Sequence, residues 1–458
     1  MEKHATLGHG LYKLVMTSIG YFTERPLFFW LNVVLLGSWF YLLWPLFTPL
    51  YFTPKYFLYL AMLVIPALVY AYLALIGGNR INFGLLVVLL FVFAIGEAYL
   101  RLVVPSEQRL SGPISANGQH PYYMFTGVPN TSVSIPPLVG GANETENLAK
   151  LNSLGFRIEE PLEKSKPAGE LRIFVVGGST VFLGAPLAKT IPGQIESELA
   201  RRGVSGAKVY NFGIVAAVSG QELALLTHLL VDYKPDVVIS YGGGNDIPAP
   251  YQADPRPGFP VDFVTVQIGT RALAGELDLR SALASQLFKS RFIALIFAPR
   301  EREVRLPMSE LRKEVGYRTP DWENSIIEAY FNNLHRMCQV GHGFNFKFYA
   351  VLQPQIFQKS PLSDAEKKLN VGDADFASYM RRQHERAAKA ISALQSTDGT
   401  DGFCRFVDFS EIFADDPRNL FWDYSHVNND ANATIGSAIA ADLAGSLLLD
   451  SKRSAEPQ

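Results

Sequence analysis

The chain has 458 residues, 48% of them hydrophobic and 18% charged, and its formal net charge is -2. That length leaves room for more than one ordinary domain of roughly 100–200 residues, and a chain so near neutrality lacks the positive field that a nucleic-acid binder needs. The apolar excess is local, because the long apolar runs fall in the first hundred positions and the remainder has the composition of an ordinary soluble protein.

Three runs, Pro26 to Leu50, Tyr56 to Gly77 and Phe83 to Val104, each come close to the ~20 residues that a helix needs to cross a bilayer. Residues 1–104 are therefore expected to form a membrane anchor of three transmembrane helices, the alternative being a buried hairpin of core helices. Trp39, Phe40, Tyr41, Trp44, Tyr51 and Phe52 suit an interfacial aromatic belt. A cleavable signal peptide fits less well, since the first run is long, starts late and is followed by two more. With the N-terminus inside, Lys3, Lys13, Arg25 and Arg80 face the cytoplasm and Lys55, Arg101 and Arg109 face outward. This narrow positive-inside balance places the C-terminal domain on the extracytoplasmic side. Cys338 and Cys404 both fall in that domain. A disulfide and two separate core thiols both remain open for them.

Residues 105–150 are rich in Pro, Gly, Ser and Asn and read as a linker and irregular lead-in. From Leu171 onward, short β-branched and aromatic runs alternate with helical patterns, which predicts a parallel sheet covered by helices on both faces, a three-layer α/β domain over 151–450. The expected strands are Arg172 to Val176, Lys208 to Asn211, Val237 to Tyr241, Lys347 to Leu352 and Arg405 to Val407. Ser219-Gly-Gln-Glu222 has capping-box spacing ahead of leucines 223, 226 and 230. A last helix near Asn429 presents Ile435, Ile439, Leu443 and Leu447 at helical spacing. The stretch Ile247 to Met337 is too long for a simple crossover and is expected to shape a pocket, with helical patterns around Ser281 to Phe297 and Ile326 to Met337. Tyr251, Phe259 and Phe263 suit either a wall of that pocket or a small core of the insertion itself.

Function is read from where the small turns fall. Gly177-Gly-Ser179-Thr follows the first strand, Asn211-Phe-Gly213 ends the second and Gly242-Gly-Gly-Asn245-Asp follows the third. In open parallel sheets, ligands bind outside the carboxyl ends of the strands. Acyl transfer through serine needs a base, a group that orients the base, and donors for the developing oxyanion. Ser179 is the candidate nucleophile, although its turn alone also fits a helix cap or a phosphate-cradling loop. His426 is the candidate base, and Asp423, three residues before it, the candidate orienting carboxylate. The N–H groups of Ser179 and Gly213 and the Asn245 amide are the candidate oxyanion donors, although Gly and Asn also suit any turn that needs positive φ. Gln353, after the fourth strand, is a candidate substrate contact. The other histidines, among them His228, His335, His342 and His384, lack metal-ligand spacing and are assigned solvated or structural roles.

The succession Gly-Gly-Ser179, Asn-Phe-Gly213, Gly-Gly-Asn245-Asp and Asp423-x-x-His426 resembles, in order, the four blocks of the SGNH (GDSL-like) hydrolase superfamily. The resemblance spans roughly Leu151 to Leu449, and its lead-in Leu151-Asn-Ser-Leu-Gly-Phe-Arg157 is similar to the segment before the nucleophile in many bacterial members. Gly178 departs from the Asp of the GDS form. The resemblance implies a flavodoxin-like sheet, no metal or organic cofactor, and an acyl-enzyme on Ser179. A bacterial inner-membrane serine esterase is then expected, acting on acyl, and first of all acetyl, esters of a carbohydrate or lipid. If a sugar hydroxyl replaces water, the same machinery is an O-acyltransferase modifying an exopolysaccharide or envelope glycan. A third alternative is a membrane-tethered binding domain whose site has lapsed. The expected partners are the acylated substrate and the lipid bilayer, and no nucleic acid.

Overall fold

The computed structural model describes residues 92–100, 102, 118–136, 148–159, 161–261, 263, 264, 266, 267, 270, 290, 308–399 and 402–455. The first two apolar runs and most of the third lie outside these residues, as does all but Ser290 of the pattern around Ser281 to Phe297. Among the described residues no helix is long and apolar enough to cross a membrane. The chain divides into two compact units, Met1–Arg109 with Thr265–Pro307, and Leu110–Val264 with Met308–Gln458. In the first, residues 92–100 are helical, and the Glu97 carboxylate accepts a hydrogen bond from Ser290 at 2.8 Å. Residues 265–307, read from sequence as part of the domain over 151–450, therefore group with the N-terminal hundred, and the second unit is discontinuous.

The second unit opens with two antiparallel hairpins. In one, β1 (Gly118–His120) pairs with β2 (Met124–Thr126), and in the other β3 (Ser132–Ser134) pairs with β4 (Leu148–Lys150). The stretch read as linker is thus partly folded, because Tyr123 and Phe125 enter the main core and Ile135 and Ala149 pack with Phe182 and Ala185.

Five strands form the parallel sheet: β5 (Leu171–Gly177), β6 (Ala207–Gly213), β7 (Val237–Gly242), β8 (Lys347–Leu352) and β9 (Cys404–Asp408). All five expected strands are present, with ends extended by at most two residues. The order β6-β5-β7-β8-β9 puts the first sheet strand second, the 2-1-3-4-5 order of flavodoxin-like folds. Both faces of the three central strands, β5, β7 and β8, are buried, as a sheet covered on both sides requires. On β5, Phe174 and Val176 face one core while Ile173 and Val175 face the other. The first core is closed by α3 (Ser219–His228), α4 (Pro320–Phe344) and α5 (Ala374–Thr397), and the second by α2 (Ile191–Arg201) and α6 (Asn429–Ala455).

Local signals explain several helix ends. Thr190, Thr319 and Asp373 each accept a backbone N–H two or three residues ahead, as N-cap side chains do. The capping box read at Ser219 is displaced by one residue: Val218 is the N-cap, and its N–H donates to Gln221 Oε1 at 3.2 Å. Ser219 and Glu222 are thereby released for other partners, described below. Ile435, Ile439 and Leu443 are buried on α6 as expected, and the helix runs on to Ala455.

Cys338 on α4 and Cys404 at the start of β9 form a disulfide across 66 residues. In the chain-entropy account a loop of this size stabilises the fold by about 4 kcal/mol. Replacing both cysteines with alanine is expected to lower the unfolding free energy by about 2–4 kcal/mol, measured by urea titration. Equal midpoints for the variant and the oxidised wild type would show that the bridge contributes nothing.

Candidate active site

The register of the sheet brings every motif to one edge. Gly177 lies opposite both Gly213 and Tyr241, Gly242 opposite Leu352, and Leu352 opposite Asp408. The turns after β5, β6, β7 and β8 therefore emerge together at the carboxyl end. The Cys338–Cys404 bridge sits at the amino end of β9, and there His342 Nε2 lies 3.9 Å from Cys404 Sγ. Among the described residues this Cys-His-Cys trio is the group spaced to hold a metal, and its sulfurs are bonded to each other.

Ser179 is the first residue of α1 (Ser179–Phe182), where a backbone N–H has no partner inside the helix. Its Oγ lies 2.6 Å from His426 Nε2, and His426 Nδ1 lies 2.6 Å from Asp423 Oδ2. A carboxylate only accepts, so Nδ1 carries the ring proton and Nε2 is left as the acceptor for the serine hydroxyl. The Asp-x-x-His spacing works because Asp423 folds back on its own turn: Oδ1 accepts the N–H groups of Ser425 and His426, both at 2.7 Å. Burial pushes the Asp423 carboxyl upward, but the His426 ring and these two N–H groups together hold it below the ordinary carboxylate value. Trp422 stacks on the imidazole at 4.7 Å between centroids. His426 and Asp423 keep 23% and 30% of their side-chain surface exposed, so solvent reaches the pair.

The short helix α1 is gripped from below. Arg157, the last residue of the lead-in motif, is buried and donates to the carbonyls of Phe182 and Gly184 at 2.7 and 2.5 Å. Asn211 Nδ2 donates to Val181 O at 2.9 Å. A Cβ at Gly178 would come within 2.4 Å of Asn245 Nδ2 and displace that amide. The glycine that departs from the GDS form is what lets the Asn245 amide lie against the Ser179 turn.

Two sequence assignments change. The Gly213 N–H is already committed, donating to Asn211 Oδ1 at 3.0 Å, and a Cβ on Gly213 would meet Phe182 N at 2.6 Å. Gly213 is therefore the close-packing point of β6 on α1 and not an oxyanion donor. Three residues on, Ala216 has φ +64, a left-handed conformation that costs a non-glycine residue roughly 1–2 kcal/mol, and among the described residues its N–H meets no acceptor. The next residue, Ala217, accepts the Asn245 amide through its carbonyl at 2.7 Å, so this loop and Asn245 adjoin; an amide has a second proton to offer elsewhere. Ala216 escaped the sequence reading because alanine carries no mark of positive φ.

The other correction is Gln353, which is 2% exposed and has both ends of its amide occupied by protein hydroxyls. It is not a substrate contact. Of the aromatic residues weighed as a pocket wall, Tyr251 packs with Phe376 and Tyr379 at 5.2 and 4.8 Å, and Phe259 and Phe263 pack on each other and under Arg256. Tyr251 packs against the main core, whereas Phe259 is exposed and pairs with Phe263 at the surface.

Behind Asn245 lies a buried polar cluster with no counterpart in the sequence reading. Asp246 accepts Ser219 N at 3.0 Å and Ser219 Oγ at 2.5 Å, tying the β7 turn to the start of α3. Asn333 Nδ2 donates to the same hydroxyl at 3.0 Å, and Glu222 Oε2 accepts Ser240 Oγ at 2.7 Å. Burial pushes Glu222 up to about 8, with the nearby Asp246 adding to the effect, and burial pushes Asp246 up to about 6.

The sheet order is flavodoxin-like, and the four sequence blocks meet at its carboxyl edge. No family model matches the chain, and no curated protein matches it in sequence. Among solved structures it is similar to an acetyl xylan esterase named AlAXEase, at 11% identity and TM-score 0.32, over 59% of this chain and 99% of that one. It is also similar to a GDSL-like lipase from Bacteroides thetaiotaomicron, at 11% identity and TM-score 0.31, over 62% and 92%. A third is an acetylxylan esterase from Geobacillus stearothermophilus, solved as a catalytic mutant, at 10% and 0.32 over 61% and 96%. Identities and scores this low leave the chemistry to be argued from the residues of this chain.

Two outcomes are expected. Ala216→Gly should raise the unfolding free energy by about 0.5–1 kcal/mol, because glycine takes φ +64 without steric cost and loses only part of that gain to chain entropy; a lower urea midpoint would contradict the left-handed assignment. Glu222 titrates near 4.3 when unfolded and at about 8 when folded. A raised pKa means that its stabilisation is full below pH ~4.3 and lost as pH rises through about 8. Wild-type stability should therefore fall between pH 5 and pH 9, and Glu222→Gln should fall less. Parallel curves from urea melts across that range would refute the raised pKa.

Proposed function

We propose that the chain is a serine hydrolase that cleaves acyl esters, with short acyl groups on a carbohydrate or lipid as substrates. The observation that carries this is the continuous Ser179–His426–Asp423 chain of two 2.6 Å hydrogen bonds at the carboxyl edge of the sheet. Ser179 Oγ attacks the ester carbonyl as its proton passes to His426 Nε2. Asp423 holds the ring in the tautomer that can accept it and stabilises the imidazolium. The developing oxyanion is received by the N–H groups of Ser179 and Ala216 and by the second amide proton of Asn245, each such donor being worth about 2.7–4 kcal/mol of barrier. His426 then gives the proton to the departing alcohol oxygen, leaving an acyl-enzyme. A water deprotonated by His426 releases the acid and restores Ser179.

The partial exposure of His426 and Asp423 favours water as the acceptor and hence hydrolysis over transfer to a sugar. We further propose that the three apolar runs anchor the protein in a membrane with this unit on the extracytoplasmic face. Support comes from the Cys338–Cys404 bridge, since disulfides persist in oxidising compartments.

With acetylated oligosaccharides and p-nitrophenyl acetate as substrates, Ser179→Ala is expected to lower kcat by about 10⁴-fold or more. Full turnover by that variant would sink the nucleophile assignment. Mass spectrometry of the products follows the acyl group, and its appearance on a second sugar in place of free acetate would move the reading to transfer.

A further inference from the structure

We infer that Gln353 is a positioning residue: a strut that sets the distance between nucleophile and base. The inference rests on the reading of Ser179 as nucleophile and His426 as base. Gln353 follows β8 directly, and its own N–H donates to Gly242 O at 3.0 Å, which fixes its backbone to the β7 turn. Its Oε1 accepts Thr180 Oγ1 at 3.0 Å, and its Nε2 donates to Ser425 Oγ at 2.9 Å. Thr180 is the neighbour of Ser179, and Ser425 the neighbour of His426. One planar amide therefore spans from the residue after the nucleophile to the residue before the base.

The third turn is seated on the same amide. A Cβ on Gly244 would fall 2.3–2.6 Å from all three terminal atoms of the Gln353 side chain, so only glycine lets the Asn245 turn lie flat across it. Gln353 thus touches the turns that carry Ser179, Asn245 and His426, its side-chain hydrogen bonds going to Thr180 and Ser425 and to none of those three. The side chain needed here has an acceptor and a donor at the two ends of a rigid plane, without charge, in a site that excludes water. Glutamine meets all of these terms. Glutamate would bury a charge and methionine offers neither partner.

A strut predicts a different outcome from mere core packing. A displacement of about 1 Å between reacting groups costs on the order of 100-fold in rate. Gln353→Met leaves two buried hydroxyls without partners, so the triple variant Thr180→Val, Gln353→Met, Ser425→Ala is made beside it. Replacing all partners by apolar groups is nearly neutral for folding, while the tie is still cut. For both, kcat on p-nitrophenyl acetate and the rate of labelling by a fluorophosphonate are expected to fall about 10- to 100-fold, with KM changed by less than about threefold. The pH profile of labelling should shift as His426 loses its set position, in protein shown to be folded by near-UV circular dichroism. Ser425→Ala, which severs one end and keeps the glutamine in place, should show a smaller loss of the same kind. A folded Gln353 variant that labels at the wild-type rate overturns the strut. So does a loss wholly explained by a smaller folded fraction with an unchanged pH profile, and so does a folded Ser425→Ala at full rate when the Gln353 variants fail to fold. Ser179→Ala is run in parallel: labelling there would defeat the nucleophile reading, whereas labelling lost in Ser179→Ala and kept in Gln353→Met defeats the strut alone.

Discussion

A hydroxyl and an imidazole 247 positions apart in the chain meet at 2.6 Å, and much of the second unit can be understood as what keeps that distance fixed. The serine side is held by the four-residue helix α1, far too short to be stable by itself. Its carbonyls are taken by the buried Arg157 and by Asn211, and its backbone is approached by Gly213 more closely than any other residue would permit. The histidine side is held by a turn closed on Asp423, by the stacked Trp422 and by an antiparallel bridge between Phe421 and Val427. Neither side is a regular element with its own cooperative stability. Both borrow rigidity from the sheet edge beneath them, in keeping with the need to hold reacting groups within a fraction of an ångström.

Charge is managed on the same principle. Lys359 and Glu366 form a buried ion pair, and Glu366 also accepts the backbone N–H groups of Leu420 and Phe421 just ahead of the Asp423 turn. Burial raises the Glu366 carboxyl, but Lys359 and these N–H groups hold it down at about 2. Glu222 lies in the opposite situation, buried without a cation and pushed up to about 8. One carboxylate is thus kept ionised where a loop must be pinned, and another is kept protonated near neutrality beneath the Asn245 turn, each according to whether a counter-charge was buried with it.

The sheet was legible because its strands are short β-branched runs with Gly-rich turns, and each survived as read. The convergence of Ser179, Asp423, His426 and Asn245 at one edge was legible because a carboxylate three residues before an imidazole closes a turn locally and because the order of the four blocks is informative. What could not be read depends on groups brought together from distant positions. Gly213 looked like a donor because glycine exposes backbone, yet its N–H is spent on Asn211. Ala216 looked inert because side-chain identity does not announce a left-handed backbone. Gln353 was visible as a polar group at the right edge, but that Thr180 and Ser425 would occupy both of its ends is a fact of three turns meeting, with no trace in spacing. Likewise residues 118–136 look like linker by composition and fold because Tyr123 and Phe125 find a core supplied by later parts of the chain.

The discontinuity of the second unit bears on the timing of its assembly. Residues up to Val264 contain the serine, its cradle and the Asn245 turn, the chain then leaves for another unit, and only from Met308 does it return to supply β8, β9 and the histidine. A chain emerging from the ribosome therefore carries, for an interval, a Ser179 turn without its histidine partner and an unfinished sheet edge at β7. The edge is closed by β8, and the contact between Ser179 and His426 can form only when residue 426 has emerged. Until then the Ser179 hydroxyl is without its imidazole partner, and α6, which closes the second core, follows that partner in the chain.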